Sequence, residues 1–185
     1  IYGAKGESIL DWTTSVESAL ALRPEHLSTY ALTVEPGTPL AEDRDRHPED
    51  DDQADKYLLA DDLISSAGLL NYEISNWAQP GEHCQHNMLY WTQGEYLGLG
   101  VAAHSHLAQR RFWSMRTPER FIKAITEGSS VEAGAEELDP DAWALEGRQL
   151  AIRTSEGVLE EFVSDEVQHL TESSEVAGKV KLTVE

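Results

Sequence analysis

Apolar positions Ile9, Trp12, Val16, Ala19 and Leu20 recur at helical spacing behind Ser8, and Asp11 stands three places after that serine. The spacing and the capping-box-like start predict an amphipathic helix over about 8–22, closed by Pro24. From Leu27 to Val34 the pattern changes to a run of apolar, β-branched and aromatic residues ending at Pro36-Gly37-Thr38-Pro39, which reads as a buried strand and a turn. Asp50-Asp51-Asp52 places negative charge where a helix dipole favours it; Tyr57, Leu58, Ile64 and Ala67 form the face of that second helix, and Gly68 ends it. Residues 70–75 are the next strand candidate. With an initial strand stub at Ile1, the order strand, helix, strand, helix, strand predicts an α/β fold on a parallel sheet, doubly wound or barrel-like.

Beyond Trp77 the periodicity breaks down. Gln79-Pro80-Gly81 is a turn, and Gly94, Gly98 and Gly100 interrupt an aromatic stretch, the kind of irregular region that often carries a site. Order resumes at Thr117-Pro118, an N-cap and first-turn pair for a helix holding Phe121, Ile122 and Ile125 and stopped by Gly128. Residues 129–138 are small and acidic and read as a linker. Asp139-Pro140 opens a helix with Trp143, Leu145 and Leu150, a further helix carries Leu159, Phe162, Val163 and Val167, and residues 180–184 alternate like a strand. Two helices and a strand make a small, winged-helix-like tail.

The charge changes what such a tail can do. The chain has 34 acidic and 14 basic residues, a formal charge of -20, so a surface that tracks nucleic-acid phosphates is excluded as its general role. Residues 127–185 alone carry fifteen acids and four bases, the wrong sign for a DNA-reading tail. Residues 63–126 carry four acids and five bases, so this is the one stretch without net negative charge. It also holds His83, His86, His104 and His106, Trp77, Trp91 and Trp113, and the basic cluster Arg110, Arg111, Arg116, Arg120 and Lys123. A single cysteine, Cys84, rules out an internal disulfide and a cysteine-only metal or cluster site from this chain. No run of about 18 apolar residues is present and the first residues lack a basic-then-apolar leader, so the expectation is a soluble, cytoplasmic protein without a membrane span. The start without Met, inside a strand-like segment, and the stop inside an alternating run lead us to expect a fragment cut at both ends.

The densest chemistry lies in Cys84-Gln85-His86-Asn87-Met88-Leu89-Tyr90-Trp91. A haem pocket needs an imidazole for iron, flat and apolar surfaces for the macrocycle and cations for its propionates; His86, Tyr90 and Trp91 supply the first two, and Arg110 and Arg111 supply the third after a fold-back. The bland alternative is a satisfied, partly buried histidine beside two core aromatics. In Gly98-Leu99-Gly100-Val101-Ala102-Ala103-His104-Ser105-His106 the glycines match neither a P-loop nor a dinucleotide fingerprint. His104 and His106 would share one face of a strand, but two ligands fall short of a zinc site, and a close backbone approach with one orienting histidine is the milder reading. Cys84 beside His83 lacks the oxyanion and orienting features of a thiol protease.

Several ordered segments resemble one family. They are Ile1-Tyr2-Gly3, residues 24–40, Tyr72-Glu73-Ile74-Ser75-Asn76-Trp77-Ala78, His86-Asn87-Met88-Leu89-Tyr90-Trp91, Tyr96-Leu97-Gly98-Leu99-Gly100 and Ala103-His104-Ser105. Together they resemble the HemW haem chaperones, radical S-adenosylmethionine (SAM) proteins related to HemN, the oxygen-independent coproporphyrinogen III oxidase. More loosely, residues 178–183 look like the family's C-terminal strand. The resemblance implies the later half of a partial (β/α) radical SAM barrel over 1–128, followed by a small, acidic, helical, winged-helix-like C-terminal domain, truncated, over 129–185. It also implies that His86, Asn87, Tyr90 and Trp91 fill the family's His-Asn-x-x-Tyr-Trp haem motif, with His86 on the haem iron, and that Tyr2, Gly3 and Ala31 lie near SAM.

The departures from the family pattern matter as well. The family holds its [4Fe-4S] cluster and SAM through a Cys-x3-Cys-x2-Cys loop that this chain does not contain, so the fragment alone is expected to be inactive in radical chemistry. Tyr2-Gly3-Ala4-Lys5-Gly6 lacks the family's Pro-Gly turn, and the Gly-x-Gly-Ala-His-Ser pattern is lengthened between Gly100 and Ala103. The leading expectation is a haem chaperone that binds haem and passes it to an acceptor protein, a respiratory one among the candidates. The alternatives are a coproporphyrinogen III oxidase of porphyrin biosynthesis and a non-catalytic acidic interaction module.

Overall fold

The computed structural model describes residues 1–158 and divides into two compact units, Ile1–Cys84 and Gln85–Glu185. The expected second tail helix (Leu159 to Val167) and strand (180–184), and with them most of the winged-helix-like tail, lie outside the described residues. Among the described residues no helix is long and apolar enough to cross a membrane.

In the first unit, α1 (Ile9–Ala21) starts as its sequence predicts. The Ser8 side chain accepts from Asp11 N, and the Asp11 carboxylate accepts from the Ser8 hydroxyl at 2.7 Å and from Ser8 N at 3.0 Å, which hold its pKa down. β1 (His26–Ser28) follows, then a short α2 (Pro39–Glu42) and α3 (Asp50–Ser66). The buried face of α3 is Lys56, Ala60 and Ile64, at strict four-residue spacing, whereas Leu58, assigned to that face above, is 61% exposed. Trp12 and Val16 of α1, Ala60 and Ile64 of α3, Tyr2, Leu69 and Trp77 form one core. The Trp77 indole, fully buried, donates to Asp61 Oδ1 at 2.7 Å, so its one polar atom is satisfied.

The expected parallel sheet is corrected in part. Tyr2 bridges Ala31 in parallel, with Tyr2 N donating to Tyr30 O at 2.9 Å and Leu32 N to Tyr2 O at 2.8 Å. The strand read over 70–75 forms as β2 (Leu70–Glu73), but the chain then reverses into β3 (Asn76–Ala78), which pairs back on β2 and with β1, giving an antiparallel sheet in the order β1-β3-β2. The reversal is made locally, where Ser75 N donates to the buried Glu73 carboxylate at 3.3 Å.

The second unit contains α4 (Gln85–Trp91), β4 (His104–Leu107), β5 (Arg110–Ser114), α5 (Pro118–Glu127), β6 (Glu132–Glu137) and α6 (Pro140–Ala151). The expected linker at 129–138 is in fact mostly β6. It pairs antiparallel with β5, setting Glu137 opposite Arg110 and Glu136 opposite Arg111, so its acidic sequence is neutralised across the ladder. Gly134 lies against the Trp113 ring, where a side chain would collide with the indole. The helices over 118–127 and 140–151 form as predicted; Gly128 closes the first in the left-handed conformation and Asp139 caps the second.

The hairpin β4–β5 turns through Ala108 and Gln109, both at positive φ (49° and 63°), a geometry that favours Asn-Gly over the residues present. Replacing the pair with Asn-Gly is expected to stabilise the chain by about 1 kcal/mol. Thermal melts of the A108N/Q109G double variant check this, and an unchanged or lower Tm would refute it.

Candidate functional site

In the first unit, Tyr2 bridges Ala31, and Gly3 follows Tyr2 in the chain. Tyr2 is buried, packs its ring against Trp12 at 5.1 Å and forms the parallel bridge with Ala31; burial, then the neighbouring Tyr57, pushes its phenol pKa up. Gly3 N donates to Glu7 Oε2 at 2.8 Å and borders a cavity of about 380 Å³ that also touches His47, Glu49 and Asp52. Elsewhere in this unit His83 stacks on Tyr72 at 4.4 Å, and the Tyr72 hydroxyl bonds His26 at 2.9 Å and accepts from Cys84 N at 3.3 Å. The lone cysteine is exposed, and the chain's own residues do not fit a cluster that needs three thiolates.

The second unit carries the haem-like motif on α4. Positions four apart on a helix are neighbours, and accordingly Tyr90 Oη lies 3.0 Å from His86 Nε2 with the two rings edge to face at 5.1 Å. His86 is exposed, Tyr90 is 41% exposed, and Asn87 and Trp91 are half-buried. The Trp91 Nε1 is buried and has no hydrogen-bond partner among the described residues; the ring lines a small cavity of about 150 Å³ with Met88 and Ala151. The helix ends in a Schellman motif: Gly94 N donates to Leu89 O at 2.7 Å, Gln93 N to Tyr90 O at 3.3 Å, and Gln93 itself takes positive φ. The Gln93 amide then reaches Trp143 O at 3.1 Å, tying the end of α4 to α6.

From that cap the chain runs into Tyr96, which bridges His106 of β4 through two backbone hydrogen bonds of 2.9 Å. Between α4 and the sheet lies a cavity of about 340 Å³, lined among others by Leu89, Tyr90, Tyr96, His106, Arg111 and Glu146. His104 lines it too, so the two histidines do share a strand face; His104 is exposed and stacks on Trp113, whereas His106 is only 2% exposed. His106 Nδ1 lies 3.0 Å from Gly94 O. A carbonyl oxygen only accepts, so Nδ1 bears a proton. The ring's Nε2 is buried without a hydrogen-bond partner among the described residues. Among the described residues no three histidine, cysteine or carboxylate side chains converge as a metal centre.

The two arginines proposed for the propionates, Arg110 and Arg111, are each ion-paired within this unit. Arg110 forms a two-pronged ion pair with Glu132, and Arg111 bonds Glu146 with Glu136 at 3.7 Å. The hydrogen bond from Arg111, with its charge, holds the Glu146 carboxyl below the usual carboxylate range, while burial raises the Tyr96 phenol. The mild reading of the glycine-rich segment describes it well: Gly98 N donates to Ser105 Oγ at 2.9 Å, and the glycine's backbone lies directly against the His104 carbonyl. Sequence reasoning singled out His86, Asn87, Tyr90 and Trp91 but gave His106 no partner, because its environment is set by Gly94, twelve residues earlier, and by Trp143, whose ring lies 5.1 Å away.

Comparison with solved structures places this architecture in a class. The chain resembles coproporphyrinogen III oxidase (HemN) from Escherichia coli, a radical SAM enzyme, with a TM-score of 0.69 over 83% of this chain and 39% of that one; at 15% identity the likeness is one of fold. No protein-family model matches the chain. Curated relatives are more specific. Heme chaperone HemW of Mycobacterium tuberculosis strain H37Rv is 38% identical over 162 residues, 85% of this chain and 42% of its own length. Heme chaperone HemW of Escherichia coli K12 is 38% identical over 134 residues, 72% of this chain and 35% of its own. The chain belongs to the HemW family, and it spans about two fifths of the length of the curated relatives it matches.

Proposed function

We propose that this chain is the haem-handling part of a HemW-type haem chaperone, binding haem on the α4 side of its second unit for transfer to an acceptor protein. The observation that carries the reading is the placement of His86 and Tyr90 side by side and accessible on α4, with Tyr90 opening onto an aromatic cavity. In this reading His86 ligates the iron, and Tyr90 and Trp91 offer their rings to the macrocycle, with Asn87 beside them on the same helix. The chain is the later part of a partial (β/α) barrel, residues 1–128, followed by an acidic C-terminal domain, residues 129–185, in a cytoplasmic parent. The [4Fe-4S] cluster and SAM belong to that parent, with Tyr2, Gly3 and Ala31 facing the SAM side. The acceptor is a protein of unassigned identity, with respiratory haem proteins the first class to examine.

The oxidase alternative draws on the HemN likeness, which is one of fold at 15% identity, whereas relatives at 38% identity carry the chaperone name. A purely structural acidic module would gain support from His86 and Trp91 sealed from solvent with no adjoining cavity, whereas His86 is exposed and Trp91 lines one. Titrating the chain with hemin tests the proposal. A Soret band should develop, and His86→Ala should weaken binding at least about tenfold, or 1.4 kcal/mol. A wild-type chain that leaves the hemin spectrum unchanged overturns it.

A further inference from the structure

We infer that Gln93, outside the His-Asn-x-x-Tyr-Trp motif, is a positioning residue for haem capture: its amide fastens the end of α4 into a notch on α6 that is open because residue 147 is glycine. The inference rests on the haem reading above. α4 has seven residues, none of them buried. A helix this short does not sustain itself in water, so the stance of His86, Tyr90 and Trp91 depends on what holds the helix in place. At its C-terminal end the hold is specific. Gln93 Nε2 donates to Trp143 O at 3.1 Å and to Glu146 Oε2 at 3.4 Å, and both partners only accept, which fixes the orientation of the amide. Glu146 is in turn bonded by Arg111 of β5, and Gly94 O accepts from His106 Nδ1 at 3.0 Å. The cap of α4 is thereby tied to α6 and to β4.

Gly147 lies inside α6, where glycine disfavours the helix relative to alanine. What it provides is space. A methyl group there would overlap Gln93 Oε1 and lie 3.2 Å from Gln93 Cδ, and its three nearest atoms all belong to the Gln93 side chain. Trp143 is one turn back on the same face of α6, so the amide reaches the Trp143 carbonyl through the gap that the missing side chain leaves. The obstacle to the methyl is the free end of a flexible side chain, so Gly147→Ala turns the Gln93 amide out while α6 keeps its helix. Position and stability are thereby separable. Losing a merely structural contact lowers stability and binding together, whereas Gly147→Ala favours α6 as it unfastens α4.

The test uses the whole chain and hemin. Gln93→Ala keeps a Cβ, so the backbone demand at its φ of 53° is unchanged and only the amide is lost. Without hemin, amide exchange at Thr92 and Gly94, which close α4 onto Met88 O and Leu89 O, should quicken in Gln93→Ala and in Gly147→Ala, while the amides of β5 stay protected. Hemin affinity should fall about tenfold in each variant. Gly147→Ala should nonetheless melt near the wild-type temperature. Once the Gln93 amide is gone the methyl has nothing to displace, so Gln93→Ala/Gly147→Ala should bind hemin no worse than Gln93→Ala alone. Wild-type hemin affinity in either single variant, or losses that add in the double variant, overturns the role of Gln93 while leaving the haem reading intact. Failure of the wild-type chain to bind hemin at all overturns the haem reading itself. If the Gln93→Ala variants do not fold, Gly147→Ala decides: affinity lost at a near wild-type Tm upholds the role of Gln93, and affinity that follows Tm overturns it.

Discussion

Lys56→Ala should destabilise the chain by about 3–5 kcal/mol, the scale on which breaking a buried ion pair leaves an uncompensated partner. The Lys56 side chain is fully covered, and its ammonium donates to Glu7 O and Asp52 Oδ2, each at 2.7 Å, while lying 3.2 Å from Glu7 Oε2. Asp52 is 45% exposed and returns to water when the lysine goes, but Glu7 is only 17% exposed and remains in place because it also accepts from Gly3 N. The loss therefore falls on Glu7 and on the Gly3 turn it secures. Against a total stability of about 5–15 kcal/mol for a domain, this is a large fraction. Lys56→Met keeps most of the volume and should cost less.

The same pair predicts a pH signature. Burial pulls the Lys56 pKa down, but the hydrogen bonds and charges of Asp52 and Glu7 outweigh it, and the net direction is up. A lysine whose folded pKa is raised contributes its full stabilisation below the unfolded value, about 10.4, and loses it as pH rises through the folded value. The difference between wild type and Lys56→Ala in urea melts should thus be constant through neutral pH and shrink only in strong alkali. A deficit under 1 kcal/mol at pH 7, or one that grows with pH, would sink this account.

Helices α1, α5 and α6 were legible because each announces itself locally. Ser8 and Asp11 write the cap of α1, Pro118 and Gly128 bracket α5, and Asp139-Pro140 opens α6, all within one turn of the residues they affect. The sheets were not, because their pairing is decided elsewhere. Nothing between Glu73 and Asn76 has the glycine or proline of a reversal; the turn is held by the Glu73 carboxylate, so the strand read over 70–75 gave no sign that β3 folds back on it. Ala108-Gln109 conceals a hairpin for the same reason. In β6, Glu-Ala-Gly-Ala-Glu-Glu has little strand propensity of its own and is recruited by the arginines opposite it. In the candidate site, His86 and Tyr90 were readable as a helical i,i+4 pair once α4 is known, but α4 itself hides in an irregular stretch. His106 was visible only as half of a His-x-His spacing, since its partners are distant in sequence.

Gly98→Ala should disable the second unit's cavity even though the glycine does not line it. A methyl group there would overlap the His104 carbonyl oxygen, lie 2.9 Å from the carbonyl carbon and 3.0 Å from Ala103 Cβ. These obstacles are backbone and a Cβ, which have no rotamer to retreat into, so the segment must part from β4. Overpacking of this kind costs about 1–3 kcal/mol. The displacement would fall on Gly98 N to Ser105 Oγ and on the Tyr96–His106 bridge two residues away, the two links that hold the cavity's aromatic wall against its imidazole. Hemin binding should accordingly fall at least about tenfold at temperatures where the chain is still folded. Gly100→Ala is the control: its φ of +101° makes alanine strained there, by roughly 1 kcal/mol, but no atom lies within 4 Å of the added methyl, so hemin binding should stay near wild type. Equal hemin affinities in the two variants, measured well below both melting temperatures, would show that the Gly98 contact does not hold the cavity together; a loss confined to Gly98→Ala ties haem capture to the Tyr96–His106 wall and not to stability in general.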